Sequence, residues 1–154
     1  VHGRTRSMLY SGVADWDTIT KVKQQLSIPV IANGDIVSGE TASKCLKRTG
    51  ADGIMIGRAS FGDPWVFADA KAALAGEETP ARPLLNKRVD VAVRQFELAR
   101  EDKGEHIACL EARKHFAWYL RGVSHSSYYK TQISAISKME DIYRIAEGIR
   151  RDLV

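Results

Sequence analysis

With 154 residues, 44% hydrophobic and 27% charged, the chain has room for one ordinary domain or two small ones and reads as soluble and globular. Its apolar runs are far shorter than the ~18 residues of a membrane span and no basic-then-apolar leader opens it, so neither a membrane nor a secreted protein is expected. Cys45 and Cys109, the only cysteines, sit in helical patterns, which argues against a disulfide framework or a metal site and fits a cytoplasmic protein.

The net charge of +4 is unevenly spread. Between His106 and Met139 lie Arg113, Lys114, Arg121, Lys130 and Lys138 against Glu111 alone, which accounts for all of it. Phe116, Trp118, Tyr119, Tyr128 and Tyr129 are interleaved with them. Basic residues among aromatics can form a polyanion footprint. The competing reading is a solvated helix face with its aromatics in a core.

In chain order, Val1-His2 resembles a strand end, followed by a polar loop to Gly12. Asp15 can cap a helix whose residues Ile19, Val22 and Leu26 share one face. Pro29 to Ala32 is the next strand, continuous enough for burial on both faces. A helix opening at Ser38 or Gly39 turns Ala42, Cys45 and Leu46 inward and stops at Gly50. Gly53 to Ile56 is the third strand, and Pro64 stands at the first turn of a helix running to about Leu74. This alternation predicts α/β structure with a parallel sheet over residues 1–75. The stretch "GEETPARP" makes 76–83 a linker. Helices are expected at about Leu85–Asp102, Ile107–Leu120, Tyr128–Ser137 and Met139–Asp152, a small all-α bundle over 84–154.

Two of the strands end alike, in Asn33-Gly34-Asp35 and in Gly57-Arg58. In parallel βα architecture such loops meet at one end of the sheet, where backbone N–H groups can hold an anion. Glycine lets the phosphate approach, and the Arg58 guanidinium can grip it in bidentate fashion. Asn-Gly also suits a hairpin turn, but a helical pattern follows it here. His2, Arg4 and Arg6 of "VHGRTR" follow a strand end on the same side of the sheet. A histidine there can donate to an electron-rich ring or a carbonyl, and arginines suit phosphates. No P-loop, dinucleotide fingerprint, serine elbow or zinc spacing occurs.

The segments "VHGRTR", "IPVIANGDI", "GADGIMIGRA", "GDPWVF" and "EARKHFAWYLRG", in this order, resemble the C-terminal half of bacterial tRNA-dihydrouridine synthases. The resemblance covers nearly the whole chain. It implies the last three or so βα units of an FMN-binding (β/α)8 barrel, followed by a helical tRNA-binding domain. It also implies NADPH-dependent reduction of the flavin and then of the C5=C6 bond of tRNA uridines. On that basis Asn33, Gly34, Asp35, Gly57 and Arg58 hold the FMN phosphate, and His2 and Arg4 belong to the catalytic site. Arg6, Arg113, Lys114 and Arg121 are the expected tRNA contacts, while Asp63, standing where a basic residue is common, is assigned none. The family's catalytic cysteine lies upstream of "HGRT", so this stretch alone is expected to be inactive and to self-associate through open barrel edges. The alternatives are a non-catalytic RNA-binding module, or part of another FMN barrel such as a dihydroorotate or inosinate dehydrogenase relative.

Overall fold

Local capping chemistry sets the first helices. In the computed structural model, which describes residues 1–153, helix α1 (Trp16–Gln25) begins at Asp15. The Asp15 carboxylate accepts from the Thr18 N–H at 3.0 Å and from its hydroxyl at 2.7 Å. Helix α2 (Gly39–Thr49) begins with a reciprocal box, in which Ser38 Oγ accepts from Thr41 N and Thr41 Oγ1 accepts from Ser38 N. Gly50, at φ 64°, closes α2, and Gly76, at φ 73°, closes α3 (Val66–Ala75).

The strands are shorter than the apolar runs that signal them. β1 (Ile31–Asn33) pairs in parallel with β2 (Gly53–Met55), with Ile31 opposite Gly53 and Asn33 opposite Met55. The expected strand at Val1-His2 is a single parallel bridge from His2 to Asn33. Asn33 N donates to Val1 O and Gly3 N to Asn33 O, but the chain then leaves the sheet at Gly3, whose carbonyl accepts from Asp15 N at 2.7 Å. Three parallel segments therefore lie side by side with β1 in the middle.

Burial on both faces of the sheet is also corrected. Ala32 is fully buried with Ile19, Val30, Ala42, Cys45 and Ala70, whereas Ile31 and Met55, on the other face, are 46% and 60% exposed. The α1 stripe is shorter than its spacing predicts: Ile19 is buried, but the helix ends at Gln25 and Leu26 is exposed.

The chain divides into two compact units, residues 1–60 with 64–81, and residues 61–63 with 82–154. The second is built on α4 (Leu85–Lys103), α5 (Glu105–Tyr119), α6 (Ser127–Ser134) and α7 (Met139–Asp152). α4 packs on α5 and α7, and α6 on both α5 and α7. Phe96 and Phe116, both fully buried, meet at 5.5 Å in its core beside Ile133, Ile142, Ile145 and Ile149. Among the described residues no helix is long and apolar enough to cross a membrane.

Candidate functional site

The parallel register brings the loops after His2, β1 and β2 together. Gly34, at φ 125°, has no room for a side chain, since a Cβ there would lie 2.7 Å from that of Ala14. Asp35 follows at φ 55°. Trp16 Nε1 donates to Gly34 O at 2.9 Å and fixes the loop from behind.

Asp35 is the hub of the cluster. Its Oδ2 accepts from Arg4 Nη2 and from the Ala14 N–H, both at 2.7 Å, and its Oδ1 lies 3.6 Å from the Arg58 guanidinium. The Arg4 hydrogen bond, above all, holds the Asp35 carboxyl below the usual carboxylate range. Arg4, whose side chain is only 4% exposed, also donates through Nε to Ser11 O and through Nη2 to Gly12 O. Its Nη1 is buried with no partner among the described residues. His2 Nδ1 accepts from Arg4 N at 2.9 Å, so the neutral ring carries its proton on Nε2.

The cluster therefore divides in two. Arg4, Asp35 and Asn33 brace the frame, Asn33 by donating from Nδ2 to Met55 O at 2.7 Å. Gly57 and the half-exposed Arg58 are open to receive a ligand, while Gly34 is buried and shapes the loop behind them. A Cβ at Gly57 would meet nothing within 4 Å, and no group among the described residues accepts from the N–H of Gly34, Asp35 or Gly57. Unspent N–H groups beside a guanidinium suit a phosphate or another anion. Sequence reasoning missed Tyr10, whose ring lies 4.4 Å under the Arg58 guanidinium. Nothing in its spacing marks it. Arg6 is exposed in the 3-10 turn Arg6–Met8.

In the second unit, Ala112, Phe116, Tyr119 and Leu120 form the buried stripe that their spacing predicts, and Arg113 and Lys114 lie exposed beside it. Arg113 is partly committed, since its Nε donates to Ile136 O at 2.7 Å. Arg121 stacks on Trp118 at 4.5 Å, and Phe61 sets its edge against both Trp118 and His115. Burial, reinforced by Lys114, lowers the pKa of His115. Arg88, which sequence reasoning also missed, is buried and donates to the carbonyls of Tyr119 and Arg121 at the end of α5. Both thiols are buried, and desolvation raises their pKa values.

A model of the dihydrouridine synthase family matches residues 1–151. The chain is 40% identical over 148 residues to tRNA-dihydrouridine synthase B of Pasteurella multocida (strain Pm70), covering 96% of this chain and 45% of that protein. It is 39% identical over 149 residues to a probable tRNA-dihydrouridine synthase of Rickettsia conorii (strain ATCC VR-613 / Malish 7), covering 97% and 44%. A third, the probable tRNA-dihydrouridine synthase of Mycobacterium leprae (strain TN), is 37% identical over 143 residues, covering 92% and 37%. The chain thus spans less than half the length of these curated relatives. The match sets aside the dihydroorotate and inosinate dehydrogenase alternatives, and the chain belongs to the dihydrouridine synthase family.

Proposed function

We propose that this chain contributes the phosphate side of an FMN site and a tRNA-binding helical unit to a cytoplasmic tRNA-dihydrouridine synthase. The carrying observation is the half-exposed Arg58 beside Asp35 and Gly57, whose backbone N–H groups are unspent, at one end of a parallel sheet. Gly57 and Arg58 would hold the FMN phosphate, with Asn33, Gly34, Asp35 and Arg4 keeping those donors in place. The flavin, recharged by NADPH, would supply the hydride for the uracil C5=C6 bond, while the protein supplies binding and orientation. His2, whose Nδ1 is taken by the Arg4 N–H, would donate from Nε2 to the flavin or to the uracil carbonyl. Arg4 enters this site through its backbone N–H on His2 and through Asp35.

The helical unit would hold the tRNA through Arg113, Lys114 and Arg121, and Arg6 would add a phosphate contact from the first unit. Reading shape and backbone suits an enzyme whose uridine must leave its stack to react. Filter binding of the chain to bulk tRNA over a range of salt concentrations tests this. Affinity should fall steeply with salt, and Lys114→Ala should flatten the log–log slope by about one unit while weakening many tRNAs alike. If Arg113→Ala/Lys114→Ala leaves affinity and slope unchanged, the basic segment is only a solvated face.

A second reading, an RNA-binding module without chemistry, has the buried thiols in its favour, since neither Cys45 nor Cys109 is placed to protonate a substrate. Flavin absorbance in the purified chain supports the first reading. Because a chain with an open flavin site is expected to be colourless on either reading, the second is supported by a chain that shifts tRNA in a gel while the Gly57 amide and Arg58 show no response to inorganic phosphate.

A further inference from the structure

Tyr10 is 72% exposed, yet the loop that carries it is firmly built. Met8 N donates to Thr5 O, and Ser11 donates to Met8 O through both its N–H and its hydroxyl. The buried Arg4 guanidinium ties the carbonyls of Ser11 and Gly12 to Asp35. Leu9 is held at φ 50°, a left-handed conformation that a bulky side chain rarely adopts and that the surrounding bonds must enforce. A loop this constrained presents an aromatic ring to solvent, and one face of that ring is taken by Arg58.

Arg58 has little else to hold it. Its contact to Asp35, at 3.6 Å, is too long for a hydrogen bond, and the other Asp35 oxygen is already shared by Arg4 and Ala14 N. Asp35 attracts the guanidinium without fixing its plane. A ring face 4.4 Å from the guanidinium carbon can supply that plane, and a guanidinium stacked in this way can offer its N–H edge for two-point contact with a phosphate. We propose that Tyr10 is a positioning residue of the anion site, its ring holding the Arg58 guanidinium flat beside the Gly34 and Gly57 loops, with Arg4 anchoring the loop that carries Tyr10. This rests on the anion-site reading of the cluster.

The test is a titration of the full chain with inorganic phosphate, followed by NMR at the amides of Gly34 and Gly57 and at the Arg58 Nε–H. Tyr10→Phe should keep both the affinity and the upfield ring shift of the Arg58 Nε–H. Tyr10→Leu should abolish that shift and weaken phosphate about two- to fivefold, as expected for a solvent-facing cation–π contact. Arg58→Ala should weaken it further. Because Tyr10 is exposed, Tm should be unchanged in both Tyr10 variants. If Tyr10→Leu binds phosphate like the unsubstituted chain while Arg58→Ala does not, the anion site stands and the role of Tyr10 falls. Weakening that merely tracks a loss of folded chain overturns that role too. If the unsubstituted chain shows no phosphate response, or Arg58→Ala changes nothing, the anion-site reading falls and takes this inference with it.

Discussion

Gly62 illustrates a residue whose importance comes wholly from what lies next to it. Its φ is 68°, and a Cβ there would meet the Trp118 backbone carbon and lie 2.5 Å from the Tyr119 nitrogen. Gly62→Ala should therefore cost at least about 2 kcal/mol in denaturant unfolding, combining left-handed strain with a backbone clash. Asp141 makes the opposite kind of contribution. Its carboxylate accepts from the N–H and hydroxyl of Ser137, from the Lys138 N–H and from Arg144, and these bonds, led by the Ser137 N–H, hold its pKa at about 2. The ordinary value is 3.8, so the unfolded chain binds the proton more tightly. The stabilisation is then full above about pH 4 and is lost as the pH falls toward 2. Asp141→Asn should remove about 1–2 kcal/mol at neutral pH and flatten the acid limb of the stability profile relative to the unsubstituted chain. Parallel acid limbs in the two proteins would refute it.

Helix termini were the most legible elements, because their signals are local. Asp15, Ser38 and Gly50 act where their side chains or backbone freedom say they should, whereas Pro64, expected in the first turn of α3, lies ahead of that helix, which starts at Val66 after Trp65. Ser38→Ala should accordingly cost about 1 kcal/mol, read as a shift in the urea midpoint with an unchanged m value. An unshifted midpoint would mean that Thr41 alone carries the cap. Strand extents were less legible: the apolar run from Ile28 to Ala32 carries no mark of where hydrogen bonding begins, and β1 starts only at Ile31. Within the candidate site, the glycine loops and Arg58 could be found from strand-end chemistry. The committed roles of Asn33 and Asp35 could not, since both depend on partners more than twenty residues away. Arg88 looked like one more surface cation in "NKRVD", and only the fold brings it to the carbonyls that end α5. Tyr10 likewise acquires a role only when Arg58 arrives from a distant loop.

At the scale of the molecule, among the described residues of the first unit the sheet lacks cover on one face and a neighbour at its edges. Ile31 and Met55 share the open face, and Val1, Ile28 and Val37 are also exposed in the same unit. A (β/α)8 barrel takes about 200 residues or more, and the first unit comprises residues 1–60 and 64–81. Loops at the ends of three parallel segments can place a phosphate, yet an isoalloxazine ring needs walls on both sides to gain from burial. We therefore expect this chain by itself to bind FMN weakly or not at all, and to self-associate through its bare strands and apolar face. Replacing Met55 by Lys should favour the monomer in sedimentation experiments, because a charge on that face opposes stacking or pairing. Tm should hold, since Met55 already faces solvent. The two halves of this expectation are measured together by equilibrium dialysis against FMN and sedimentation velocity on the same sample. A monomer that binds FMN with sub-micromolar affinity would sink it, because three parallel segments would then suffice to enclose the ring.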